Sequence, residues 1–490
     1  MAPSVNDHLT LWDLGPQQLL LDFTAGRLVS DAGLLAVRAL ERPLRVIADL
    51  APLLPDPRSP DFIRHSVEAL LTQEVYALLA GYPDHNDHDQ LRHDPLFQIL
   101  AEVSPDAEQP LASASTLARF QYAFTRRQAE LPPEQRDVLL EVRAAQCQRL
   151  KVVNNYLVDL FIRTRTQAPV EVILDVDATD DPTHGRQALS GYHGYFRQHQ
   201  YFPLHVYEGH TGFPLAVWLR PGTAHASLGA VDILRPIVAR LRAAWPGVPI
   251  LVRADNGLGV PAVYEFCEAE QLGYVIGYAT NPVLERATAQ ALDDLQLYYQ
   301  LYGRRRGESL QRFEEVRGYQ AGSWPHPRRV IAKVEVTPQG SQRRFVVTNQ
   351  ASAPEAVYRG LYVLRGAVPE QPIGEMKNGL RCDRLSSCGF CANALRLLVH
   401  AVAYAIVVLF REAASGVAEV ATASVGTLRQ RLWKVGAVVV SSARRLWLHV
   451  SAAWPYRQVW QQVHEAVQGF VARWQAAATG PPAAPAPPPG

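Results

Sequence analysis

Cysteine is scarce, with five in 490 residues. So few, odd in number and without a disulfide pattern, they exclude a disulfide framework and fit a reducing cytoplasm. Cys382, Cys388 and Cys391 have no paired CxxC or His partner to complete four ligands, so a structural zinc is not expected either. Net charge is also missing: 48 Lys and Arg stand against 47 Asp and Glu. A chain-wide basic field is excluded, and any nucleic-acid surface must be local. The N-terminus, MAPSVNDHLTLWDLG, carries acids early and no continuous apolar stretch, which does not read as a signal peptide. One segment approaches a membrane span, Ala394–Phe410. It is short of the about 20 apolar residues a span needs and contains Arg396 and His400, so it reads as a buried core helix.

What is present suits a large globular chain. Hydrophobic residues make up 48%, enough for a sizeable core, and the length suggests roughly three domains. Residues 1–165 read as mostly helical, with apolar residues at helical spacing over Leu34–Leu54 and Ser66–Leu79. A polar, His/Asp-rich stretch runs from Gly81 to Phe97. LASASTLARF follows, with Ser115 or Thr116 placed to cap a helix, and a further helix is expected from Pro133 to about Leu160.

The period then changes. Val170–Val176, Tyr201–Glu208 and Pro214–Leu219 read as strands, the last two joined by the hairpin turn Gly209–Gly212. A helix over 228–244, a strand over 249–253, a helix over 261–271 and a strand over 274–278 come next. This is a three-strand meander followed by α/β units, the element order of a ribonuclease H-like core, although other mixed α/β folds begin similarly. From 281 to 354 a basic stretch and two strands (329–337, 343–348) read as a β-rich insertion. Helical character returns at about 358 and runs to about 474, and residues 479–490 are a Pro/Ala/Gly tail expected to be disordered.

The strongest local signal is Asp175-Val-Asp177-Ala-Thr-Asp180-Asp181 at the end of an apolar strand. Four acids in seven residues repel one another unless some bind a cation or are solvated. Asp175 and Asp177 share one strand face. The second signal is Asp255, just past a buried strand and before Pro261, which opens a helix; in α/β sheets, sites gather at such strand ends. Carboxylates from neighbouring strand ends, with a third from a helix, make a hard-oxygen site suited to Mg²⁺ or Mn²⁺. Two such ions about 4 Å apart can clamp the attacking and leaving oxygens of a phosphodiester. The plainer alternative makes Asp255 a turn or cap residue. A calcium loop is disfavoured, because Asp180 and Arg186 stand where an EF-hand needs Gly and Glu.

Several stretches together carry a family resemblance: GYPDHNDHDQLRHDPLF, LASASTLARF, ILDVDATDDPTHGRQ, FPLAVWLRPGTAHAS, ILVRADNGLGVPAVYEFCE, RRVIAKVEV with RFVVTNQ, and YVLRGAVPEQPIGEMKNGL followed by CANALRLLVHAVAY. In this order, over residues 20–412, they resemble the DDE-type bacterial insertion-sequence transposases, specifically family 1380. The resemblance implies a mixed α/β fold: a ribonuclease H-like catalytic core interrupted by a β-rich insertion, with helical N- and C-terminal regions. By segment this gives a DNA-binding region over 1–165, core over 166–280, insertion over 281–354, core with the third acid over 355–412, and a helical region over 413–478. It implies cleavage at element ends and strand transfer into target DNA, with two Mg²⁺ (or Mn²⁺) ions. The implied partner is double-stranded DNA, both terminal inverted repeats and target, bound by a homodimer on paired ends in the bacterial cytoplasm.

The resemblance also places residues. Asp177 and Asp255 match the first two metal-binding acids, and the third falls near Tyr358–Lys377. Relatives space Tyr, Arg, Glu and Lys by two, three and six residues. Tyr362 and Arg365 fit the first gap and Glu370 and Lys377 the last, but the middle gap holds four residues. One extra residue rotates a helix by about 100°. Pro369 and Pro372 suggest that the helix starts at Pro369, leaving Arg365 outside it. Glu370 is preferred as the third acid because Lys377 lies seven residues on, on the same face; Glu375 competes. Arg365 and Lys377 are expected at the phosphate backbone with Tyr362 beside them, and Arg304, Arg305 and Arg306 form a phosphate-contacting patch or a solvated loop. Trp324 would stack on a flipped base or pack in a core. His184 lies near the scissile phosphate or caps a turn, and Asp175 is an accessory acid. The split motif leaves open a second reading, a transposon-derived protein that binds element ends without cutting.

Overall fold

The computed structural model describes residues 8–54, 56, 58–107, 109–123, 138–303, 309–365 and 372–479. The chain divides into two compact units. One comprises residues 1–51, 58–119 and 410–471, and the other 52–57, 120–409 and 472–490.

In the first unit the helix Val67–Ala80 is started by the Ser66 hydroxyl, which accepts from the Ala69 N–H at 3.1 Å, and stopped at Gly81 with φ of 95°. The His/Asp-rich stretch that follows is not a loose loop. His88 is buried and its Nδ1 lies 3.0 Å from the Gln73 side-chain nitrogen, while Gln73 also exchanges two hydrogen bonds with the Ala112 backbone. Asp94 caps Pro95–Leu100 by accepting from the Leu96 N–H at 2.7 Å. The next helix begins at Ala114, so Ser113, not Ser115 or Thr116, holds the position before it, with its hydroxyl 3.1 Å from both of theirs.

Two expectations of helix fail in this unit. Residues 8–22 form a β-hairpin, His8–Leu14 with Gln17–Asp22. Within the region read as helical to 478, Ala437–Ser442 and Arg445–Val450 form a second hairpin that adds the short strand Arg27–Val29 to its edge. Val438–Val440 is a β-branched run that favours a strand, and its partner at 27–29 lies about four hundred residues away, beyond the reach of any local pattern.

The second unit is built on one eight-stranded sheet. Its strands in chain order are β1 (Val172–Ala178), β2 (Leu204–Glu208), β3 (Pro214–Trp218), β4 (Ile250–Ala254), β5 (Gly273–Tyr278), β6 (Leu310–Val316), β7 (Arg329–Thr337) and β8 (Gly340–Thr348). The spatial order is 6-7-8-5-4-1-2-3. β1, β4 and β5 run parallel, and every other neighbouring pair is antiparallel. The parallel strands read as near-continuous apolar runs because both faces are covered. All five β4 residues are buried. The segment expected as an insertion thus extends the same sheet through β8, β7 and β6, the last of which the sequence reading missed.

Helices α1 (Val138–Arg163), α2 (Ala230–Ala244) and α3 (Pro261–Ala269) pack against the sheet. α1 closes the sheet's open edge: Asn154 donates to the Val217 carbonyl at 3.1 Å and accepts from its N–H at 3.0 Å, pairing backbone groups of β3 that have no strand neighbour. α2 and α3 are the crossovers before β4 and β5. α4 (Phe390–Ala413) is long and apolar enough to cross a membrane, but its apolar window is wholly buried in protein, as a core helix.

One sheet face carries an apolar cluster of Ile173, Leu251, Val275, Ile331 and Val346, from five different strands. Val357, Tyr358, Leu361 and Tyr362 lie against it. From there the chain after β8 reaches the C-terminal ends of β5 and β1, with the Tyr362 hydroxyl beside Gly277 and Arg365 beside Asp177.

Candidate active site

Parallel pairing of β1 with β4 aligns Val176 with Ala254. The next residue on each strand is therefore an aspartate, Asp177 on β1 and Asp255 just past β4, side by side at the carboxyl edge of the sheet. Burial pushes the Asp177 carboxyl up to about 6; Arg365 opposes that rise, and Asp255 and Asp175 add to it. Its side chain is still 43% exposed, so the carboxylate remains reachable from solvent. Asp255 opens the short turn Asn256–Leu258, with Oδ1 accepting from the Gly257 N–H at 2.9 Å. The capping role is thus real, and it fixes the carboxylate beside Asp177.

The four acids of the 175–181 run have separate fates, and only two of them, Asp175 and Asp180, find a cationic partner at hydrogen-bond distance. Asp175 makes a two-point ion pair with Arg253 on β4. Asp177 faces Asp255. Asp180 accepts from the Lys377 ammonium at 2.8 Å; burial works to raise its carboxyl, but Lys377 and Gln198 outweigh that and hold it below its ordinary value. Asp181 is 2% exposed, and burial with nearby Asp383 pushes it well above the usual carboxylate range.

Two further segments reach this edge. The turn after Tyr358–Tyr362 places Arg365 Nη1 3.9 Å from Asp177 Oδ1, with the guanidinium 5.7 Å from the Tyr362 ring centre. Arg365 stands in a turn, outside any helix. Arg253 also donates to the Leu361 carbonyl at 3.1 Å, tying that segment to β4. The second segment is the helical stretch from Pro372 to Gly379. Its Met376 sulfur accepts from the Tyr207 hydroxyl at 3.0 Å, and Tyr207 is the β2 partner of Asp175. Lys377 binds Asp180, as above. Glu375 is therefore carried on a segment that touches the Asp177 side of the sheet, and it is 9% exposed. Glu370 lies outside the described residues, as do Arg304, Arg305 and Arg306.

Lys377, expected at a phosphate, is thus held by Asp180. Trp324, considered as a base-stacking residue, is a core residue: it is 4% exposed and packs among Tyr264, Tyr278 and Tyr319, with the Arg328 guanidinium 5.4 Å from its ring centre. A ring so enclosed has no face to offer a base. His184 is exposed, and its carbonyl accepts from Gln187 at 3.4 Å.

The sequence reading missed three contributors. His205 is the β2 partner of Asp177, fully buried, with Nδ1 2.9 Å from the Tyr207 hydroxyl. Burial, with Lys377 and Arg220 nearby, drops its pKa to about 3, so it is a neutral imidazole. The alternation of His205 and Tyr207 in LHVYE was the available signal. Arg220, 1% exposed, donates to the carbonyls of Phe202, Ala226 and Leu228 at 2.7–2.9 Å. It thereby sets Ala226 against Gly257, where a Cβ would lie 2.6 Å from that of Ala226. Gly277 on β5 completes the wall: a Cβ there would fall 2.7 Å from both the Asn256 nitrogen and the Tyr362 hydroxyl.

The sequence model of the family described as transposase DDE domain, group 1, matches residues 14–472. The chain belongs to this family. The match spans both compact units and both aspartates. No curated protein matches the chain. Among solved structures it is similar to a piggyBac transposase, determined by cryo-EM as a synaptic complex with hairpin DNA. That similarity has 12% identity and a TM-score of 0.38, and covers 93% of this chain and 83% of that one. DDE transposases as a family generally use divalent metal ions. In this transposase the hard-oxygen donors Asp177 and Asp255 suit such an ion, and a cation would offset both the burial that raises Asp177 and the smaller repulsion from Asp255. Among the described residues, no three His, Cys, Asp or Glu side chains come together as a metal-binding group.

Proposed function

We propose that this transposase cuts DNA at the ends of its own element and joins those ends to target DNA, with Asp177 and Asp255 as metal-holding acids on a ribonuclease H-like core. The observation that carries the reading is the pair of carboxylates at adjacent parallel strand ends, one of them raised to about 6 by burial and by the other. The strand order 3-2-1-4-5 within the sheet, with β1, β4 and β5 parallel, supports the ribonuclease H-like assignment. The third acid comes from residues 366–377, as Glu370 or Glu375.

Bound divalent ions would supply Lewis-acid charge at the attacking and leaving oxygens of the phosphodiester. The chain's own residues position them. Asp177 and Asp255 hold hard-oxygen donors on rigid strand ends. Arg365 offers a guanidinium to a non-bridging phosphate oxygen next to Asp177. In cleavage, water attacks phosphorus and the strand's 3′-oxygen leaves as a hydroxyl. In strand transfer, that hydroxyl attacks a target phosphodiester and displaces a second 3′-oxygen. The resemblance to insertion-sequence family 1380 supports terminal inverted repeats as the substrate, a homodimer on paired ends, and a bacterial cytoplasm as the setting.

The test is cleavage of DNA carrying the element ends with Mg²⁺ or Mn²⁺, by wild type beside Asp177→Ala, Asp255→Ala, Glu370→Ala and Glu375→Ala. Loss in the first two and in one glutamate variant is expected, and that glutamate is then the third acid. Wild type that binds the ends but never cuts would replace the enzyme reading with that of an end-binding protein.

A further inference from the structure

The first unit carries an apolar arm that nothing among the described residues covers. Every residue from Leu9 to Leu28 is exposed, although the hairpin His8–Leu14/Gln17–Asp22 is rich in leucine. Leu9 pairs with Leu21 on one face and Thr10 with Leu20 on the other, so both faces are apolar. Trp12 is 63% and Phe23 84% exposed. Side chains of this size and exposure put roughly 800 Å² of apolar surface in water, about what one partner buries in a standard protein interface. An isolated two-stranded hairpin is at best marginally stable in water, so this one needs a partner.

The chemistry of that partner follows from charge. Between Leu9 and Gly26 the chain has Asp13 and Asp22 and neither Lys nor Arg. DNA, or an anionic membrane, would be repelled, and an apolar protein surface is the match. The same unit offers one. On the three-stranded sheet, Leu28 pairs with Val438 and Val440 with Trp447, and Leu28, Val440 and Trp447 are 56%, 43% and 46% exposed. A chain that presents both an arm and an apolar sheet face can close a two-fold dimer by exchanging arms.

We propose that the 8–22 hairpin is a dimerisation arm that docks on the Leu28–Val440–Trp447 face of a second copy of this chain. The inference does not depend on the DNA chemistry, because association is read without DNA. Sedimentation of the full chain over about a hundredfold dilution should show a dimer that dissociates on dilution. Leu11→Asp with Leu20→Asp, and separately Trp447→Ser, should leave a monomer at every concentration. All of these positions are exposed in the single chain, so circular dichroism should be unchanged. Amide hydrogen exchange of wild type needs no variant: the amides of 9–21 should slow at high concentration. A wild type that stays monomeric, a dimer that either variant leaves intact, or hairpin amides that exchange equally at both concentrations would overturn the proposal.

Discussion

The guanidinium of Arg253 closes on both carboxylate oxygens of Asp175, at 2.7 Å to each, across the β1–β4 pair. The two side chains are 3% and 13% exposed. Asp175 shares a strand face with Asp177 and was a candidate accessory acid, yet its charge is already committed to an internal pair. Removing one partner strands the other in low dielectric, which typically costs about 3–5 kcal/mol. Arg253→Met should therefore lower the urea midpoint by roughly that amount of stability. Asp175→Asn should also destabilise, but should leave the rise in melting temperature on adding Mn²⁺. If Asp175→Asn abolished that rise, Asp175 would be a metal ligand and the pairing here incidental.

Asp177 sets the pH dependence. Its folded-state pKa, about 6, lies above the ordinary value of 3.8, so between those values the folded chain holds a proton that the unfolded chain has lost. Without metal, this group favours folding more at low pH, and that contribution is lost as pH rises from about 4 through 6. Asp177→Asn should flatten this part of the stability profile and be more stable than wild type at pH 7 without metal. A metal must displace the same proton, so Mn²⁺ affinity measured by calorimetry should climb as pH rises towards 6 and level off above it. A flat affinity profile across that window would remove Asp177 from the site.

Much of the candidate edge was legible in the sequence because its signals are local. A run of β-branched residues ending in Asp177, and a second ending before Asp255, announce buried strands with polar ends. What was illegible depends on partners distant in sequence. Nothing around Lys377 says that Asp180 will take its charge, and nothing around Trp324 says that Tyr264, Tyr278 and Tyr319 will enclose it. The strand 437–442 was lost inside a helical reading because apolar valines suit either period until a partner at 27–29 decides. Glu370 is preferred as third acid with Glu375 competing, because the spacing that should fix that acid carries one residue too many.

Arg220 governs Asp255 from a distance. Its guanidinium gathers carbonyls from Phe202, Ala226 and Leu228 in a buried setting, where burial lowers its pKa to about 10. Arg220→Ala would leave those acceptors unpaired and free Ala226 from its place against Gly257. A stability loss of roughly 3 kcal/mol is expected, since each unsatisfied buried acceptor costs about 1–3 kcal/mol and some will find water. Metal-dependent cleavage should fall further than the folded fraction does. Activity falling only in step with the folded fraction would make Arg220 a purely structural residue.

Gly277 gives the most direct test of the site's geometry. The position lies on β5 beside the Asp255 turn, and a Cβ there would fall 2.7 Å from the Asn256 nitrogen, 2.7 Å from the Tyr362 hydroxyl and 3.0 Å from the Asp255 carbonyl carbon. The tyrosine can swing away, but the backbone contacts cannot, so Gly277→Ala must displace Asp255 itself. Overpacking of this kind typically costs about 1–3 kcal/mol, while an ångström of misplacement at a reacting centre can cost about a hundredfold in rate. Cleavage should therefore collapse in a protein that still melts cooperatively. Adding Tyr362→Phe, which removes only the hydroxyl, should not restore it. Full activity in Gly277→Ala, with stability lowered, would mean that the chemistry does not pass through Asp255.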